Sequence, residues 1–129
     1  MDNKELIPRK KFPGFKHAFH GIRLLLRYEH NVRLHCLIGI YTVLAGFLLN
    51  ISATEWMAVV VVCGCVLAAE ALNTAVEQLA DVVSPEYSEA IKKVKDLAAG
   101  GVLFMAVAAA IVGLIIFLPK LIDLFGRYF

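Results

Sequence analysis

The chain opens on a basic stretch of mixed polarity and then turns into three long apolar runs. The runs cover residues 32–51 (VRLHCLIGIYTVLAGFLLNI), 55–79 and 97–117, the last with a weaker extension through residue 125. Each holds the roughly 20 mainly apolar residues that a helix needs to cross the hydrocarbon of a bilayer. Residues 12–28 (FPGFKHAFHGIRLLLRY) follow another rule. Phe12, Phe15, Phe19, Ile22 and Leu26 recur at helical spacing, within about 80° of one another at 100° per residue. Lys16, His17, His20 and Arg27 fill the sides and back of the same helix. The pattern predicts a helix lying in the membrane interface, with aromatic groups among acyl chains and cations near lipid phosphates. The alternative is a cytosolic helix packed on the membrane domain.

Composition supports the same reading. The 129 residues are 60% apolar with a mean hydropathy of +0.72, more apolar surface than a water-soluble domain of this size can hide. The expected fold is an all-α integral membrane protein: one membrane domain over residues 1–129, a surface helix and three spans. The first apolar run begins after about thirty residues and is too long for a secretory signal core. Small residues recur in the third run, at Ala98–Gly101 and at Ala106 and Ala108–Ala110, where helices could approach closely. Three spans make a bundle too thin to enclose a polar site, which favours a homo-oligomer.

Charge orients the chain. Eleven of the thirteen basic residues precede or open the first span or lie between the second and third; the link NISATE has none. By the positive-inside rule, the N-terminus and the 81–96 loop are cytoplasmic and the C-terminus external, with Lys120 and Arg127 on the unfavoured side. Cys36, Cys63 and Cys65 all fall within spans. Cys63 and Cys65 diverge by about 200° on a helix, so buried free thiols are expected rather than a metal pair.

The second span carries a stripe of polar residues, within VLAAEALNTAVEQLAD. With Glu70 at zero, Asn73, Glu77 and Asp81 fall at about 300°, 340° and 20°, so all four share one face. Each ionised acid costs about 2.5–3.5 kcal/mol at the bilayer centre, so the face must meet protein, water or a cation. The stripe is expected to step from mid-leaflet to the cytoplasmic surface. Glu29 adds a carboxylate where the surface helix meets the first span. Carboxylates near a membrane surface suit Mg²⁺, which takes one or two of them together with substrate phosphates. Past a Ser84-Pro85 turn, SEAIKKVKD opens a helix that brings Lys95 and Asp96 level with Glu77 and Asp81. A lysine beside acids, on the side where ATP is found, points to phosphate neutralisation. Taken singly, Asn73 reads as an interhelical hydrogen bond, Lys92 and Lys93 as solvated charges and Glu70 as a proton-relay acid. A proton- or cation-coupled transporter would explain the stripe but not the lysine-rich loop and the basic surface helix; a structural membrane subunit, its acids paired with lysines of a partner, is a second alternative.

EALNTAVEQLAD followed by SPEYSEAIKKVKDLAAGGVL resembles the signature of the bacterial integral-membrane diacylglycerol kinase family, which includes undecaprenol kinases. The resemblance covers essentially the whole chain. It implies a homotrimer with active sites shared between subunits, in a multi-pass protein of the bacterial cytoplasmic membrane, phosphorylating a lipid alcohol from MgATP at the cytoplasmic interface. By position, it makes Glu70 the general base at the lipid hydroxyl and Asn73 a polar orienter beside it. Glu29 and Glu77 become Mg²⁺ ligands at the nucleotide. Lys95 and Asp96 with Glu86, Tyr87 and Ser88 hold the nucleotide, with Lys10 and His17 as further contacts. Pro85 and His35 resemble the Gram-positive branch, where undecaprenol rather than diacylglycerol is the acceptor. The partners expected are a lipid alcohol, ATP and membrane lipids, with no nucleic acid.

Overall fold

The computed structural model describes residues 14–129; Phe12 and Lys10 lie outside the described residues. It is all-helical: α1 (Gly14–Tyr28), α2 (His30–Leu48), α3 (Ala53–Val83) and α4 (Glu89–Tyr128). The chain forms two compact units, one ending at His30 and one from Asn31 to Phe129.

In the first unit, α1 buries none of its residues. Phe15, Phe19, Ile22 and Leu26 are all exposed. Arg27 sits in the last turn, where a cation complements the carbonyl end of the helix, with its guanidinium carbon 5.5 Å from the centroid of the Tyr28 ring.

In the second unit, α2, α3 and α4 are each long and apolar enough to cross a membrane. Two interlocked motifs turn the chain between α2 and α3. Asn50 adopts a left-handed φ of 52°, which asparagine tolerates better than most residues. The Ile51 and Asn50 amides then donate to Gly46 O (3.1 Å) and Phe47 O (3.4 Å), the Schellman arrangement that closes a helix. Two residues on, Ser52 caps α3. Its Oγ accepts from the Glu55 amide at 3.2 Å, and its own amide donates to Glu55 Oε1 at 3.0 Å. Ile51 packs with Trp56 across this cap, as a hydrophobic staple does. Gly46 makes room for the Trp56 ring, since a Cβ there would lie 2.6 Å from Trp56 Cη2.

The core lies at this end. Ile51, Val59 and Ile116 are buried together, flanked by Trp56, Cys63, Val112 and Phe117. The cysteines are free, but only Cys36 and Cys63 are partly covered; Cys65 is exposed. The expectation of buried thiols fails at Cys65 because α3 has partners on only part of its circumference. Most large side chains share that condition: Leu48, Val82 and Phe104 are each more than four-fifths exposed. So much uncovered apolar surface suits lipid or further copies of the chain.

α3 and α4 pack antiparallel, tied near both ends by ion pairs. Lys120 Nζ lies 3.2 Å from Glu55 Oε1 and Lys95 Nζ 2.6 Å from Asp81 Oδ1. The ties are about 38 Å apart at 1.5 Å per residue, more than the ~30 Å of a hydrocarbon core. Lys120, which the charge pattern left on the unfavoured side, is therefore neutralised by a specific partner. α4 is longer than the apolar run 97–117 at both ends, as the helix start in SEAIKKVKD and the weaker extension through residue 125 predict. It starts at Glu89 on the Ser88 cap and continues through Pro119 to Tyr128, so hydropathy marks its apolar length rather than its helical length.

Candidate functional site

The acid stripe occupies the end of the bundle away from the apolar core. Its exposure grades along α3. Glu70 is the one charged side chain buried among the described residues, at 4% exposure. Asn73 and Glu77 are partly buried, and Asp81 is exposed. The α3–α4 register set by the Lys95–Asp81 pair puts Ala106 about level with Glu70 and Ala99 about level with Glu77.

Glu70 is not alone. His35 Nε2, on α2, lies 3.1 Å from its Oε1. Thirteen residues, about 20 Å of helix, then carry α3 past Glu77 and Asp81 to Val83.

Asn73 presents a buried Oδ1 with no hydrogen-bond partner. A buried acceptor left unpaired costs about 1–3 kcal/mol, so this oxygen is suited to accept from a ligand or a neighbouring chain. Glu77 makes no ion pair among the described residues.

Helix α3 stops where Pro85 forces Ser84 out of helical geometry. Ser84 Oγ donates to Glu86 O at 3.0 Å, leaving Glu86 and Tyr87 exposed. The Ser88 hydroxyl accepts from the Ile91 amide at 3.5 Å as the cap of α4. On the first turns of α4, Lys95 reaches Asp81, and Asp96 is held at 2.7 Å by Lys92. Lys92 is a solvated charge, as expected, paired with the equally exposed Asp96 one turn on. His17 is exposed on α1, and Glu29 stands between α1 and α2, its amide donating to Leu25 O at 2.9 Å.

The structure thus brings together Glu70 with His35, and Asp81 with Lys95. Among the described residues, no group of three His, Cys, Asp or Glu side chains converges as a metal site. Sequence reasoning noted His35 only as a mark of one branch. The signal that could have found it is a polar ring at membrane depth, which has to find a partner.

Residues 16–117 match the prokaryotic diacylglycerol kinase family. The chain is 39% identical over 110 residues to undecaprenol kinase of Bacillus subtilis (strain 168), covering 85% of this chain and 89% of that protein. It is 38% identical over 113 residues to diacylglycerol kinase of Synechocystis sp. (strain PCC 6803), covering 86% of this chain and 64% of that protein. The matched stretch takes in the acid stripe, the Ser84–Ser88 turn and the start of α4. On that extent of similarity, this chain belongs to the prokaryotic diacylglycerol kinase family.

Proposed function

We propose that this protein phosphorylates a membrane lipid alcohol from ATP, with undecaprenol as the acceptor. The observation that carries the reading is Glu70, the one buried carboxylate among the described residues, on a helix long and apolar enough to cross a membrane in a chain of this kinase family. Undecaprenol is favoured because the undecaprenol kinase match extends over 89% of that relative, against 64% for the diacylglycerol kinase. Diacylglycerol is the second acceptor to consider.

In the reaction, the lipid hydroxyl enters from the bilayer beside Glu70, its tail remaining in lipid. Glu70 takes the hydroxyl proton as the alcohol oxygen bonds to the γ-phosphorus. The bond from that phosphorus to the β,γ-bridging oxygen breaks in line, and ADP leaves. Asn73, one turn from Glu70, offers its unpaired Oδ1 to the reacting groups. Positioning and charge neutralisation supply most of the acceleration in such transfers. Lys95 meets the phosphates by exchanging Asp81 for a phosphate oxygen. This exchange is cheap, because an exposed ion pair contributes only about 0–1 kcal/mol. Glu86, Tyr87, Ser88 and Asp96 border the nucleotide, with Lys10 and His17 as outer contacts.

Mg²⁺ fits this donor set. A three-ligand protein cluster is not needed, because the ion takes one or two carboxylates and completes its shell with water and phosphate. Glu77, partly buried and without an ion-pair partner among the described residues, would hold the ion, and Glu29 would be the second ligand. When bound, the ion neutralises charge on the transferring phosphate.

The protein sits in the bacterial cytoplasmic membrane with its N-terminus in the cytoplasm, as eleven of thirteen basic residues favour. α1 lies in the interface on Phe15, Phe19, Ile22 and Leu26. The assembly is a homotrimer, whose neighbouring chains cover the exposed helix faces and the acid stripe. Purified protein offered undecaprenol and diacylglycerol together, with and without Mg²⁺, tests the reading. Undecaprenyl phosphate should dominate and should require Mg²⁺; a preference for diacylglycerol would reassign the acceptor.

A further inference from the structure

Nothing in the reaction as derived uses α2, yet α2 supplies the one side chain that pairs with Glu70 among the described residues. His35 Nε2 lies 3.1 Å from Glu70 Oε1, with the imidazole about one quarter exposed and the carboxylate almost wholly buried. We infer that His35 is the positioning residue for Glu70, donating the hydrogen bond that points the carboxylate at the lipid hydroxyl.

The inference rests on Glu70 being the base and deepens that reading. A carboxylate on a flexible side chain has several rotamers, and a base must sit within hydrogen-bond reach of the proton it takes. One N–H fixed on Oε1 selects a rotamer and leaves Oε2 with its lone pairs free to accept the alcohol proton. The donor type matters. A lysine or arginine at this place would bind the carboxylate as a full ion pair and oppose its protonation. An imidazole offers the carboxylate a single N–H from Nε2, which orients it through one bond rather than through a bidentate fork.

The contact also joins two helices, so a purely structural role for His35 must be separable by experiment. The variants are His35→Gln, whose amide nitrogen can stand near the place of Nε2, and His35→Leu, which has no donor. Each is made alone and with Glu70→Gln. Initial rates of lipid phosphorylation are measured at saturating lipid across a range of MgATP, with helix content checked in parallel.

His35→Leu should lower kcat by about 10- to 100-fold, the worth of a hydrogen bond to a charged group. KM for MgATP should be unchanged. His35→Gln should restore kcat to within a few-fold of the parent. In the Glu70→Gln background, His35→Leu should cost nothing further, because the carboxylate it serves is gone. Full turnover in His35→Leu, equal losses in the Gln and Leu variants, or a further loss on top of Glu70→Gln would each overturn the inference. If His35→Leu does not fold, His35→Asn takes its place, since its shorter amide stops short of Glu70. The two levels fail differently. Undiminished turnover in Glu70→Gln would sink the base assignment itself, whereas a dead Glu70→Gln beside a fully active His35→Leu would sink only the role of His35.

Discussion

Replacing Gly46 by alanine should destabilise the protein, although alanine is the better helix former. An added Cβ would lie 2.6 Å from Trp56 Cη2, 2.9 Å from Cζ2 and 3.1 Å from Ile51 Cδ1. Carbon atoms in contact prefer about 3.5–4.0 Å, so the indole must shift by about 1 Å or the helices must part. Overpacking of this kind costs about 1–3 kcal/mol. Moving Trp56 also disturbs its ring contact with Phe47, now at 4.8 Å between centroids, a contact worth about 0.5–1.5 kcal/mol. Against both stands a helix-propensity gain of about 0.5–1 kcal/mol for Gly→Ala. The net expectation is a loss of about 1–3 kcal/mol. Reversible unfolding in mixed micelles, followed by helix content as denaturing detergent is raised, measures it. Trp56→Leu removes the two indole atoms nearest the new Cβ, so Gly46→Ala should cost little in that background. A stabilised Gly46→Ala, or a penalty that persists without the indole, would show that the α2–α3 approach is not limited by this contact.

Other consequences follow for the site, the topology and the assembly. Glu70→Gln should keep nearly normal MgATP affinity while turnover falls by about 10²–10⁴-fold, as for loss of a general base. Glu77→Gln should weaken MgATP binding as well, which nucleotide titration beside rate measurement will separate. In a cysteine-free background, an impermeant thiol reagent should reach Ala90→Cys from the cytoplasmic side and Ala53→Cys from the external side; the reverse would invert the assigned orientation. Mixing inactive Glu70→Gln chains with inactive Lys95→Ala chains should recover part of the activity if neighbouring chains complete each site. Mixtures that stay inactive would place each site within one chain.

Much of the helical frame is legible in the chain because lipid imposes a simple rule: every span is a long apolar run. The turn between α2 and α3 is legible too, since Asn50, Ser52 and Glu55 are the residue types that a left-handed helix stop and a capping box demand. Helix ends were less legible. The start of α4 is legible in SEAIKKVKD after the Ser84-Pro85 turn, but its last turn, from residue 125 to Tyr128, lies past the apolar run, where hydropathy is blind to helix. Within the site, the shared face of Glu70, Asn73, Glu77 and Asp81 follows from periodicity along one helix. His35 could not be found that way. Its pairing with Glu70 spans α2 and α3, and such a contact depends on how the helices are rotated and aligned, which no single-helix period contains. Lys120 teaches the same lesson at the opposite end, where a misplaced charge in the sequence is one half of an ion pair in the fold.

The most direct test is transfer of label from ATP carrying radioactive γ-phosphate to lipid, using purified protein in vesicles containing undecaprenol and Mg²⁺. Label should appear in undecaprenyl phosphate, and Glu70→Gln of unchanged helix content should transfer it at least about 100-fold more slowly. Label that stays in ATP or appears only as inorganic phosphate would contradict a lipid kinase, and equal transfer by Glu70→Gln would remove the buried carboxylate from the chemistry.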